Sequence, residues 1–441
     1  MGEYSMVRMS SSEPARWIAL TRRILRIDPL SAAARLGSPT FFWESRSRGL
    51  CAAGFGIAEE IESRSPTTIG DQIDRVTSPA QFTWLGEAGG HPPGPWFGGM
   101  AFDPWQGSGE WWRGFPAARW ILPQLLLWTS GNAVYSTAFA ASKENGQALQ
   151  DRTAEVSRAL VFQENERPAT CLEDGATARG DWQRLMQSAL GSIQSGSLTK
   201  IVAARALNVV AANPWNPHTV LNGLRGQAAT STTFLIRGSD GSAFLGATPE
   251  LLCRVRGRLL ETEALAGSAP RTEGPGLLTS EKENREHQAV IDGISLALQP
   301  FCEKLIVGQS PTLLDVPHLF HLRTAIQAEL RNGSRISQIL HALHPTAAVG
   351  GVPRDRALRF LAEHENLERG WYAGAIGWWG EGSCELMVAL RSALVRSNRA
   401  RLFVGSGIVA GSTEESEWNE TEAKSLTMLD ALGGGNAHAR A

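Results

Sequence analysis

Thr233-Phe-Leu-Ile236, Ala243-Phe-Leu-Gly246 and Leu251-Leu-Cys-Arg-Val255 read as three strands in succession, with no helical segment between them. Working outward, Lys200-Ile-Val-Ala-Ala-Arg-Ala-Leu207 reads as a buried strand after a serine-glycine turn, and Leu386 to Val395 and Arg401 to Val404 as two more. Strands that come in runs, rather than alternating with helices, predict an α+β fold with antiparallel sheets and not a doubly wound one. Helices are expected over Trp182 to Ile193 and from the capping box Ser280-x-x-Glu283 to about Leu298, with an apolar stripe of Ile291, Ile294 and Leu298.

The amino-terminal half is less regular. A short helix is expected over Ala15 to Ile27 after a frayed first ten residues, then strands at Thr40 to Trp43, Leu50 to Ile57 and Trp96 to Asp103. The paired Gly98 and Gly99 inside an apolar run predict close approach of neighbouring backbones. Arg119 to Trp128 fits a buried strand or a short helix. The polar stretch from Ala140 to Asp181, with a helical piece at Gln147 to Leu160, marks the boundary between an amino-terminal part (1–175) and a carboxy-terminal region (176–432) that carries the candidate chemistry. Residues 433–441 form a glycine-rich flexible tail.

With 441 residues, 42% hydrophobic and 20% charged, the chain can bury a substantial core. A net charge of -2 gives no broad electrostatic footprint for nucleic acid or an anionic membrane, so a small anionic substrate has to be held by a few placed cations. The five cysteines include no C-x-x-C pair, which points away from zinc and disulfides and towards reduced thiols in a cytoplasm. No apolar run suggests a signal peptide or approaches the ~20 residues of a membrane span.

Chemistry is concentrated in a few places. From Gly405 to Lys424 a glycine-punctuated segment leads through a turn and the capping pattern Ser412-x-x-Glu415 into a helix whose Glu417, Glu420 and Lys424 share one face. Carboxylates so grouped suit a hard cation such as magnesium, and equally suit the positive end of a helix dipole. Lys200, heading an apolar strand, fits a solvated strand end or a desolvated general base. Glu250 follows a proline bend between apolar segments, where a buried carboxyl with raised proton affinity can serve as a general acid, or where a glutamate simply ends a turn. Glu286 lies beside the apolar stripe of its helix. Arg391 alternates with Met387, Ala389, Ala393 and Val395, so it is expected to point inward from a strand, where a guanidinium needs an anion.

These segments, in this order, resemble the chorismate-utilising enzymes, and within them most closely the isochorismate synthases. The resemblance is carried by Lys200-Ile-Val-Ala-Ala-Arg205, Phe244-Leu-Gly-Ala-Thr-Pro-Glu250, Glu261-Thr-Glu-Ala-Leu-Ala-Gly-Ser268, Ser280-Glu-Lys-Glu-Asn-Arg-Glu-His287 and His321-Leu-Arg-Thr324. It continues through Leu343-His-Pro-Thr-Ala-Ala-Val-Gly-Gly-Val-Pro353, Tyr372-Ala-Gly-Ala-Ile-Gly-Trp378, Val388-Ala-Leu-Arg-Ser392 and Gly405 to Lys424. It is dense from about 182 to 432 and thinner in what matches the family's variable amino-terminal half.

The resemblance implies two large packed antiparallel sheets with helices outside, and a cleft in the carboxy-terminal half. It implies that Lys200 activates water for addition at C2 of chorismate while Glu250 protonates the departing C4 hydroxyl, giving isochorismate. Glu286 and Glu420 would bind Mg2+, with Glu417 beside them through water. Arg391, with backbone amides near Ala266, Gly267 and Ser268 and in the Gly405 to Gly407 turn, would hold the enolpyruvyl carboxylate. Lys424 would pair with the acidic cluster, and His321, Thr324 and Tyr372 would line the pocket.

The amine-transferring relatives, such as anthranilate synthase, usually carry glutamine where Lys200 stands. Aminodeoxychorismate synthase places a lysine in the segment corresponding to Ala264 to Ser268, where this chain has Ala266. Both departures favour water as the nucleophile. Salicylate synthase, which goes on to eliminate pyruvate, is the runner-up, and a catalytically silent binding subunit is disfavoured because Lys200, Glu250, Glu286 and Glu420 are all present. The family resemblance further implies a cytoplasmic monomer with no obligate protein partner, serving menaquinone or siderophore synthesis, with Leu343 to Pro353 leaning towards the menaquinone type.

Overall fold

A computed structural model of the chain describes residues 16–24, 27–32, 36–76, 82–86, 92, 94–105, 109–142, 149, 151, 170–173, 179–227 and 229–433. Among them, two large sheets dominate an α+β architecture. One has thirteen strands and runs in the order 170–173, 200–211, 399–408, 392–396, 243–248, 232–237, 41–45, 50–55, 125–130, 133–141, 17–24, 82–86, with 351–352 paired to the start of 200–211. The other has ten and runs 302–307, 319–330, 259–270, 251–256, 383–388, 375–380, 96–100, 118–122, 59–63, with 312–316 also on 319–330. The pairing is antiparallel apart from the parallel pair of 17–24 with 82–86. Both sheets draw strands from both halves of the chain. No described helix is long and apolar enough to cross a membrane.

The near-continuous apolar runs follow from burial on both faces. In the Thr232–Arg237 strand, Phe234 and Ile236 point into the core between the sheets, whereas Leu235 points to the other face. That second face is covered by the Pro217–Gln227 and Glu414–Leu432 helices through Val220, Leu224, Met428 and Leu432. Between the sheets Phe41 stacks on Phe97 at 3.8 Å. Gly98 and Gly99 behave as the sequence predicts: a Cβ on Gly98 would meet the Arg119 carbonyl oxygen at 1.9 Å, and one on Gly99 the Ala375 carbonyl oxygen at 2.4 Å.

Several expectations need correction. Within the helix expected over Ala15 to Ile27, Trp17–Ile24 is instead a strand, because pairing with Ala133–Ala141 on one side and Phe82–Gly86 on the other outweighs local preference. Arg119 to Trp128 is two strands, Ala118–Leu122 and Leu125–Ser130, parted at Pro123. The first ten residues, nearly all of the helical piece at Gln147 to Leu160 and the tail beyond Gly433 lie outside the described residues.

The stretch Leu386 to Val395 is not one strand. Ser383–Val388 belongs to the ten-stranded sheet and Ser392–Arg396 to the thirteen-stranded sheet, and Arg391 turns the chain between them with φ 48°. The chain makes a second passage between the sheets at Pro249 and Glu250, from the Ala243–Thr248 strand to the Leu251–Arg256 strand. The two crossovers lie side by side. Thr248 Oγ1 donates to the Val388 carbonyl (2.5 Å), Val388 N to the Glu250 carbonyl (3.0 Å) and Ala247 N to the Arg391 carbonyl (3.2 Å).

Candidate active site

Beside these crossovers opens a cavity lined from both sheets and from two helices. The thirteen-stranded sheet supplies one side. Lys200, at the start of the Lys200–Ala211 strand, is fully buried, and its Nζ lies 2.9 Å from Glu286 Oε1. It makes no hydrogen bond of good geometry to any protein acceptor. The neighbouring Arg399–Ile408 strand runs on through Gly405 and Gly407, which pair with Ala204 and Val202, so the expected Gly405 to Gly407 turn is instead strand. Their glycine identity serves close approach: a Cβ on Gly407 would sit 2.0 Å from Glu286 Oε1, and one on Gly405 3.0 Å from the Tyr372 hydroxyl. Both glycines and Tyr372 line the cavity, and burial pushes the Tyr372 hydroxyl pKa up.

Two helices bring the acids. Ser280 caps the Glu281–Leu298 helix, its Oγ accepting from Glu283 N. The Glu283 side chain does not close the box; its Oε2 accepts from Ser268 N at 3.0 Å, and Glu286, one turn on, is buried against Lys200. The Glu414–Leu432 helix is capped by Thr413, whose Oγ1 accepts from Ser416 N, and not by Ser412, whose Oγ accepts from Val409 N. Glu420 accepts from Ser268 Oγ at 2.5 Å and pairs with Lys424, which also donates to the Gly405 carbonyl at 3.0 Å. Burial alone would raise the Glu420 pKa, yet Lys424 and Ser268 bring it down to about 2.

Besides Lys200, which lies behind Glu286 and Gly407, two predicted residues stand behind the cavity wall. Glu417 is completely buried and held by Lys282 Nζ at 2.7 Å and by Ser406 Oγ, so it does not reach the cavity as a first turn of exposed carboxylates would. Thr324 Oγ1 donates to His287 Nε2 (2.7 Å), whose Nδ1 donates to the Ala266 carbonyl (3.2 Å), so Thr324 supports the wall at Ala266 through His287. Ala266, Gly267 and Ser268 themselves line the cavity at a bulge where Gly267 has φ 77°.

The crossovers supply the remaining groups, Glu250 and Arg391, and neither has an ion-pair partner among the described residues. Burial, then the charge of Glu263, raises the Glu250 pKa to about 8 against the opposing pull of Lys200 and Lys424, so the group is a carboxylic acid at neutral pH. Arg391 donates to His321 Nε2 at 3.0 Å and to the Lys424 carbonyl at 3.3 Å. His321 donates from Nδ1 to the Gly267 carbonyl, and burial followed by the charge of Arg391 lowers its pKa to about 3, so the imidazole is neutral. Arg391 is inward-facing as the sequence suggests, but from a turn and not from strand alternation.

The sequence reading did not single out Arg369, Glu365 or Glu263. Arg369 is a second buried cation on the cavity wall, already engaged by both Glu365 oxygens (2.6 and 2.7 Å) and the Val349 and Val202 carbonyls (2.9 and 2.7 Å). Glu365 Oε2 also accepts from Ala204 N at 2.8 Å. Most of these partners are backbone atoms distant in sequence, so no periodicity announces them. Arg391 is therefore the cavity arginine without a carboxylate.

Glu283, Glu286 and Glu420 offer only oxygen donors, and they repel one another: after burial, the charge of Glu286 is the chief cause of the raised Glu283 pKa, with Glu420 adding to it. Among the described residues no three such side chains converge on one point. Donor type and mutual repulsion fit a hard divalent cation.

A cavity lined by a neutral acid and by an arginine without a carboxylate partner, with a buried lysine behind its wall, suits an enzyme acting on a small molecule. The chain belongs to the chorismate-binding enzymes, whose family model, described as chorismate binding enzyme, matches residues 5–433. It is 33% identical to the salicylate biosynthesis isochorismate synthase of Pseudomonas aeruginosa, over 94% of this chain and 91% of that one. It is 31% identical to an isochorismate synthase of Bacillus subtilis, over 95% and 93% of the two chains. Its fold is similar to that of the menaquinone-specific isochorismate synthase of Escherichia coli, with a TM-score of 0.78 and 27% identity over 96% of each chain.

Proposed function

We propose that this protein is an isochorismate synthase, adding water at C2 of chorismate while the double bonds shift and the C4 hydroxyl leaves. The observation that supports it most is a cavity-lining carboxyl, Glu250, that holds its proton at neutral pH, with a lysine, Lys200, buried directly behind the lining residues Glu286 and Gly407. Lys200 takes the proton of the attacking water as its oxygen bonds to C2. Glu250 gives its proton to the departing hydroxyl, which leaves as water, so substrate and product have the same composition.

Arg391, oriented by neutral His321, binds a substrate carboxylate through guanidinium donors that no protein carboxylate occupies. Because these groups are fixed by two crossovers between sheets, they need little rearrangement as charge develops. Glu286 and Glu420 would hold a magnesium ion, which when bound offsets the charge of the substrate's ring carboxylate. We place the enzyme in the cytoplasm.

The test is product analysis after incubating the purified protein with chorismate and magnesium. Isochorismate without salicylate is expected. Salicylate plus pyruvate would make it a salicylate synthase, and no turnover, with or without ammonia, would leave a silent binding protein.

A further inference from the structure

Glu250 is followed by the amide of Leu251, and that amide donates to Oε1 of Glu263 at 3.0 Å. Glu263 lies on the Leu259–Pro270 strand and is buried, and its other oxygen, Oε2, accepts from Arg323 Nε at 2.5 Å. Both oxygens thus accept from N–H donors, the arrangement of a carboxylate ion. Arg323, on the adjacent Leu319–Leu330 strand, is 45% exposed and keeps much of its hydration, so it compensates Glu263 from the solvent side only. The Glu250 backbone is also pinned by Thr248 Oγ1, which accepts from its amide at 3.3 Å, and by Val388 N on its carbonyl.

We infer that Glu263 is a positioning residue for the acid: its bond to Leu251 N sets the crossover at Glu250, and its fixed negative charge holds the proton on the Glu250 carboxyl until the substrate takes it. This rests on the reading of Glu250 as the general acid. The other groups acting on Glu250 are Lys200 from the Lys200–Ala211 strand, Lys424 from the Glu414–Leu432 helix and Tyr372, and Arg391, Arg369, His321, Glu286 and Glu420 line the same cavity. The cationic groups among them stabilise the ionised acid, and Glu263 opposes them. After burial, its charge is the largest contribution that keeps Glu250 protonated. Without it the surrounding cations would favour release of the proton before substrate binds.

The test compares wild type, Glu263→Gln and Arg323→Gln. Gln at 263 keeps an acceptor for Leu251 N and removes the charge. In Glu263→Gln the alkaline fall of kcat should move to lower pH, so that the ratio of kcat at pH 8.5 to that at pH 6.5 drops about five- to tenfold, as one unit implies. In Arg323→Gln, which leaves the Glu263 charge in place, it should not move down. An infrared titration of the protonated-carboxyl band that disappears in Glu250→Gln should show the same displacement in Glu263→Gln. That band can be read whatever reaction the cavity performs, so it tests Glu263 even if no isochorismate forms. An unmoved band in Glu263→Gln overturns the inference, as does an equal downward shift in Arg323→Gln.

Discussion

The cavity has two walls that treat charge differently. On the helix-facing wall the acids stand against lysines: Glu286 with Lys200, Glu420 with Lys424, and Glu417, behind it, with Lys282. On the crossover wall, Glu250 and Arg391 are equally buried and have no such partner among the described residues. Pairing offsets the cost of burying the groups on that wall. Unpaired ones carry the cost of burial, Glu250 by keeping a proton and Arg391 by losing proton affinity, to about 10. The unpaired wall is therefore where the proposed proton donor and the proposed anion site both lie.

Removing the proton donor or acceptor should have the largest effect. Glu250→Gln and Lys200→Ala should each lower kcat by ~10²–10⁴-fold, with chorismate binding measured by calorimetry nearly intact; a wild-type rate in either variant removes that residue from its role. On the paired wall, Glu420→Gln should weaken magnesium by at least roughly tenfold, read as the magnesium concentration giving half-maximal rate. Arg391→Leu should raise KM about 10–10²-fold with a smaller change in kcat, since a hydrogen bond to a charged group is worth about 1.5–3 kcal/mol. If KM is unchanged, the unpaired arginine is not the anion site. The smallest effect belongs to Glu414→Gln and Glu415→Gln, exposed or half-buried in the first helical turn. Each should change activity less than about twofold.

Much of the framework was legible because its signals are local. The Lys200 strand, the Ser280 cap and the paired glycines at 98 and 99 follow from residue type and spacing alone. Sequence alone leaves the cap ambiguous by one position because Ser412-x-x-Glu415 and Thr413-x-x-Ser416 are both plausible starts, and the choice falls to Ser412 bonding back to Val409. Arg391 is inward for a reason other than alternation: its side chain is buried because the chain changes sheets there, a nonlocal event that alternation imitates. Lys282 and Ser406 were invisible for a related reason, since the depth at which Glu417 is buried appears only once the helices lie on the sheet.

The central claim is that solvent water supplies the new hydroxyl at C2 while the C4 hydroxyl departs. Turnover of chorismate in oxygen-18 water, with the first isochorismate formed examined by mass spectrometry, tests it directly. One oxygen-18 atom at C2 of that product is expected. Isochorismate formed without label would contradict it, because the hydroxyl would then have moved within the substrate and Lys200 would have no water to activate.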